Sequence, residues 1–139
     1  MAKKALEHTL QQLYAKHRGK LSDKWSIYLS EYDRLFQPFR TMSVCLLEIG
    51  IQNGGSLEIW SKFFPQAQKI VGCDINPDCA HLVYKDRRIS VVVGDANSDV
   101  AEASVVSHSA NFDLIIDDGS HRSRRGDLRA PTVTSSRGA

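Results

Sequence analysis

The sequence predicts an α/β fold built on a parallel sheet, and three observations predict it. Short apolar runs recur at 44–50, 69–74, 89–94 and 112–117, each with the length and composition of a strand buried on both faces. Helix-compatible stretches at 56–64, 77–84 and 99–108 separate them. Each run also ends at or beside an acid. Strands alternating with short helices form βαβ units with right-handed crossovers. The chain has 139 residues, 42% of them hydrophobic and 24% charged, which suffices for one domain with a core and argues against general disorder.

The elements follow in order. Residues 3–17 read as a helix with Leu6, Leu10, Leu13, Tyr14 and His17 on one face, ended by Gly19. A second helix has Ser22 as its N-cap and repeats Trp25, Tyr28, Leu29, Tyr32, Leu35 and Phe36 at helical spacing until Pro38 stops it. Its aromatic face is expected to pack on the domain that follows. Pro77 opens the short helix after the second strand. Beyond Asp118 the chain is mostly Gly, Ser, Thr, Pro and Arg, with Leu128 and Val133 scattered among them. The expected organisation is therefore a helical lead-in (1–40), a sheet domain (41–121) and a basic tail without regular structure (122–139).

Composition excludes several classes of function. Net charge is +2, but residues 122–139 carry five arginines and one acid, or +4, which leaves −2 for residues 1–121. The body has no excess positive charge for a polyphosphate backbone, so nucleic acid is not an expected partner. No apolar run approaches the roughly 18 residues of a membrane span. The N-terminal stretch lacks a secretory apolar segment, being interrupted by Glu7, so a cytoplasmic protein is expected. Cys45, Cys73 and Cys79 form no CxxC pair and no zinc-ligand spacing, and read as structural thiols in a reducing compartment.

The chemistry gathers at the strand ends. The first strand runs into Glu48-Ile49-Gly50-Ile51-Gln52-Asn53-Gly54-Gly55-Ser56, with Ser56 placed to cap the next helix. A dinucleotide fingerprint needs glycine where Gln52 stands. The acid before the turn would repel a pyrophosphate and suits a ligand carrying an ammonium or sulfonium charge. Asp74 ends the second strand 20 residues after Gly54, where a carboxylate accepts from ribose hydroxyls; its alternative is an N-cap ahead of Pro77. Asp95, after Gly94, either accepts from an adenine amino group or caps a helix. The fourth strand ends in Asp117-Asp118-Gly119-Ser120-His121, which is also an ordinary turn sequence. In parallel sheets all these ends open on one edge, where ligands bind.

In order and spacing, Glu48-x-Gly50-x-x-x-Gly54, Asp74, Gly94-Asp95-Ala96 and the 112–121 string FDLIIDDGSH resemble the first four motifs of class I S-adenosylmethionine-dependent methyltransferases. The strings EIGIQNGGSLEIW, VGCDINP and DLIIDDGSH are most similar to the branch that holds the macrolide sugar O-methyltransferases and cephalosporin hydroxylase-like proteins. The resemblance covers about residues 20–123. It implies a Rossmann-like partial sheet of about four strands in the order 3-2-1-4, with flanking helices and two N-terminal helices. It implies S-adenosylmethionine as cofactor: Glu48, Gly50 and Gly54 at its methionine end, Asp74 at the ribose, Asp95 and Ala96 at the adenine, and Ile75 against the adenine ring. Asn53, Ser56 and Asp117 complete the expected cofactor set. It further implies magnesium held by Asp118, His121 as general base, and a small-molecule hydroxyl as acceptor.

The family's sheet has seven strands, and the downstream carboxylates that complete its metal site find no match here. The expectation is accordingly a form truncated soon after His121. Strand 4 would then be an open sheet edge, prone to self-association. Two rivals stand beside O-methylation: a non-catalytic cofactor-binding remnant or hydroxylase-like protein, and an NAD-dependent enzyme, which Gln52 disfavours.

Overall fold

Two short helices precede the sheet. α1 (Leu10–Lys16) opens with a capping box, in which Thr9 Oγ1 accepts from the Gln12 amide at 3.1 Å and Gln12 Oε1 accepts from the Thr9 amide at 2.8 Å. α2 (Leu29–Phe36) continues into a 3-10 turn, Gln37–Phe39, that contains Pro38. The computed structural model describes residues 8–17, 29–117 and 132–135, so the helix start expected at residue 3, Gly19, Ser22, Trp25 and Tyr28 lie outside it. The expected aromatic face does pack on the domain. Phe36 lies edge-on to Trp60 at 5.4 Å and Tyr32 edge-on to the same ring at 6.2 Å, all three buried.

The four apolar runs become β1 (Cys45–Ile49), β2 (Lys69–Asp74), β3 (Ile89–Val93) and β4 (Leu114–Asp117). They pair in parallel in the order β3-β2-β1-β4, with Leu46 opposite Ile70 on one side and Leu114 on the other. α3 (Gly55–Phe63) links β1 to β2, and α4 (Asp99–His108), capped by Ser98 Oγ, links β3 to β4. Strand side chains alternate between the faces. Leu46, Ile70, Leu114 and Ile116 join α1, α2 and α3 in one core; Leu47, Val71, Val92 and Val105 form the other core with α4. The parallel, doubly covered sheet is the one expected.

Two expectations are corrected. The stretch after Pro77 is a single 3-10 segment, Pro77–His81, capped by Asn76; the chain then leaves it extended at Leu82. Strand 4, expected as an open edge, has a neighbour. β5 (Thr132–Ser135) runs antiparallel along it, with Thr132 opposite Asp117 and Ser135 opposite Leu114. The sequence Thr-Val-Thr is β-branched and suits a strand. The premise of self-association through the bare edge of strand 4 is thereby removed, and four residues of the expected irregular tail belong to the sheet. No helix among the described residues is long and apolar enough to cross a membrane.

Candidate cofactor site

The C-terminal ends of the four parallel strands meet in an open cavity of about 280 Å³. That lies near the lower limit of small-molecule sites, roughly 300–1,000 Å³. Gly50, Asp74, Ile75, Asp95, Ala96 and Asp117 line it, all six among the expected residues; Ile49, Cys73, Gly94 and Asn97 complete the wall. Asp74, Asp95 and Asp117 thus come from the ends of β2, β3 and β4, on both sides of β1, to one crevice. Among the described residues its lining holds three carboxylates and no lysine, arginine or histidine, which suits a ligand with a positive centre.

Backbone geometry sets each wall. Gly50 takes φ +86, which glycine adopts without strain, and its amide donates to the Cys73 carbonyl at 2.7 Å, so bare peptide faces the cavity. Asp74 is oriented by two amides: Gln52 N–H donates to Oδ2 and Asn76 N–H to Oδ1, each at 2.9 Å. A carboxylate accepts about four hydrogen bonds, so both oxygens keep capacity for ligand hydroxyls. Asp95 Oδ1 accepts from the Asn97 amide at 2.9 Å, which folds the Asp95–Asn97 turn over the end of β3. Ile75 is 69% exposed, an apolar face beside the acids where a flat base would find cover. The Cys73 thiol is pushed up by burial and then by Asp74 and Asp95, so it stays neutral in the cavity wall.

The remaining expected residues lie elsewhere. Glu48 is 1% exposed and is absent from the cavity lining; Ser56 Oγ donates to its Oε1 at 2.6 Å and Trp60 Nε1 at 2.9 Å. The period of two explains this placement: Glu48 shares the α3 side of β1 with Leu46, so it anchors the start of α3. Ser56 is its buried partner and is absent from the cavity lining, and the helix N-cap is Gly54. Asn53 Oδ1 accepts from the Gly55 amide at 3.2 Å and shapes the turn. Gly54 is needed for packing: at φ +80, a Cβ there would lie 2.0 Å from Tyr84 Oη. Asp118 and His121 lie outside the described residues. Among the described residues, no group of three or more His, Cys, Asp or Glu side chains is placed to hold a metal ion.

Sequence reasoning missed Cys73 and Asn97 as cavity residues. Their signal was position alone, one before Asp74 and two after Asp95.

This combination, a 3-2-1-4 parallel sheet with acids gathered at its carboxyl edge and a glycine turn after the first strand, defines the cofactor-binding part of a Rossmann-like class I methyltransferase domain. No family model matches the chain. It is 38% identical over 111 residues to the demethylmacrocin O-methyltransferase of Streptomyces fradiae, covering 73% of this chain and 27% of that protein. It is 38% identical over 101 residues to the mycinamicin VI 2''-O-methyltransferase of Micromonospora griseorubida, covering 68% of this chain and 24% of that one. The solved MycE methyltransferase of mycinamycin biosynthesis, in complex with Mg, SAH and mycinamycin VI, superposes with a TM-score of 0.66 at 30% identity, over 83% of this chain and 31% of that structure. The chain is thus a partial-length homologue of the macrolide sugar O-methyltransferases, a branch of the class I S-adenosylmethionine-dependent methyltransferases. It spans about a quarter to a third of the length of the relatives it matches.

Proposed function

We propose that the chain carries the cofactor half of an S-adenosylmethionine-dependent O-methyltransferase acting on a sugar or other small-molecule hydroxyl, in the cytoplasm. One observation carries the reading: Asp74, Asp95 and Asp117 converge on a single cavity beside the bare backbone of Gly50. When bound, the cofactor supplies a methyl group on a sulfonium centre. The chain's part is to hold that group in line for attack, and alignment of this kind contributes up to about 7–11 kcal/mol in ideal cases.

Each residue has a task that its surroundings suit. Asp74, fixed by the amides of Gln52 and Asn76, accepts from the ribose hydroxyls. Ile75 covers one face of the adenine, and the Asp95–Asn97 turn meets its edge. Gly50 lets the methionine end lie against peptide, with Asp117 near the positive charge. Glu48 acts at one remove, by locking Ser56 and Trp60 and so the start of α3. The family likeness adds His121 as the general base and Asp118 as a magnesium ligand. A histidine with a pKa near 6.5 is suited to take the acceptor's proton near neutrality. The described residues supply no magnesium cage, so the ion's place in this chain rests on Asp118 and the likeness alone.

Calorimetric titration of the 139-residue chain with S-adenosylhomocysteine, with and without magnesium, and with NAD in parallel, tests the proposal. Saturable binding of the adenosyl ligand and none of NAD is expected. Binding of NAD alone would overturn it. Methyl transfer to a sugar hydroxyl, assayed on the same chain, separates an enzyme from a cofactor-binding remnant.

A further inference from the structure

Three contacts tie the loop between β1 and α3 to the end of β2 and the connection that follows it. Gln52 sits at φ +51, a left-handed conformation that residues with side chains rarely adopt. Its peptide is gripped from both sides: the amide donates to Asp74 Oδ2 at 2.9 Å, and the carbonyl accepts from Cys79 Sγ at 3.2 Å. Two residues on, the Gly54 carbonyl accepts from Tyr84 Oη at 2.8 Å. The fit under Gly54 is close, since a Cβ there would meet Tyr84 Oη at 2.0 Å and Leu82 Cδ1 at 2.8 Å.

A loop that turns through left-handed backbone at residues 50, 52 and 54 has little reason of its own to keep that shape. Without ties it would sample others, and a ligand would have to order it on binding, which lowers affinity. Burial, with Glu58 and Glu48 nearby, pushes the Tyr84 phenol well above its usual range, so it remains a hydrogen-bond donor throughout the physiological span. Tyr84 is absent from the cavity lining and so acts through the loop.

We propose that Tyr84 is a positioning residue for the cofactor: its hydroxyl, seconded by the Cys79 thiol, holds the 50–54 loop in the shape that presents Gly50 to the cavity. The proposal rests on reading that cavity as the S-adenosylmethionine site. Three measurements on the full chain test it: S-adenosylhomocysteine affinity, amide hydrogen exchange over residues 50–56, and the thermal midpoint. Tyr84→Phe is compared with Ile89→Val, which trims the buried core in β3 away from the loop.

Tyr84→Phe is expected to weaken the ligand about three- to tenfold, the equivalent of one lost hydrogen bond, and to speed exchange in the loop. Ile89→Val is expected to lower the midpoint while leaving affinity and loop exchange as in the wild type. Unchanged affinity in Tyr84→Phe, or an equal loss of affinity in both variants, overturns the proposal. A wild-type chain that binds no S-adenosylhomocysteine contradicts the proposed function instead. Loop exchange then decides the hydroxyl's role by itself, faster exchange supporting the tie and unchanged exchange refuting it.

Discussion

Asp74 shows how a side chain fixed by the backbone keeps capacity for a ligand. Its two oxygens already accept amides from Gln52 and Asn76, and that is what aims their remaining lone pairs outward. Asp74→Ala is expected to weaken S-adenosylmethionine at least tenfold, since each charge-assisted hydrogen bond to a ribose hydroxyl contributes on the order of 1.5–3 kcal/mol. Isothermal calorimetry reads this directly, and an unchanged dissociation constant would remove Asp74 from the site. The acids at the ends of β2, β3 and β4 were legible in the sequence because buried parallel strands read as apolar runs with abrupt ends. The burial of Glu48 was equally legible from strand faces. Leu46 and Glu48 share a face, so an acid there had to meet α3. Tyr84 carried no such signal, because its partner is a main-chain carbonyl that no residue pattern announces.

At the scale of elements, the end of α3 depends on a residue from a distant loop. Arg88 donates to the carbonyls of Ser61, Phe64, Pro65 and Ala67, groups that the helix end and the following turn leave without intrahelical partners. Asp86 holds that guanidinium, with Arg88 Nη2 2.6 Å from Asp86 Oδ2. The hydrogen bond from Arg88 keeps the Asp86 carboxyl below the usual carboxylate range. A carboxyl depressed in the folded state stabilises at pH above its unfolded value near 4, and the contribution is lost as pH falls through the lower folded value. Asp86→Asn is therefore expected to lower stability at pH 7 and to flatten its decline below about pH 4, as read by urea denaturation across pH. A parallel decline in variant and wild type would show that the pair contributes nothing. The 3-10 segment after Pro77 marks where propensity misled: an N-terminal proline starts a helix, but the chain has to leave early to bring Leu82 and Tyr84 under the glycine loop.

For the whole molecule, the sheet's outer strand is the decisive feature. β5 was invisible in the sequence because four small, polar or β-branched residues in an arginine-rich stretch give neither an apolar run nor clean alternation. Its antiparallel pairing occupies the edge of β4 that the alternating pattern alone left bare. A chain ending at residue 130 uncovers that edge, and such edges pair with other chains. Concentration-dependent association in sedimentation velocity is expected for the shortened chain at concentrations where the full chain shows less. Equal behaviour of the two would mean that β5 does not protect the edge.

Three carboxylates from the ends of β2, β3 and β4 share one crevice, which the proposed function assigns to an adenosyl ligand with a positive centre. Amide chemical shifts of the labelled chain, followed while S-adenosylmethionine is added, test this directly. Saturable shifts are predicted at residues 49–50, 73–75, 94–97 and 117, all fitting one dissociation constant. Shifts confined to one strand end, different constants for the separate ends, or no response at all would contradict it.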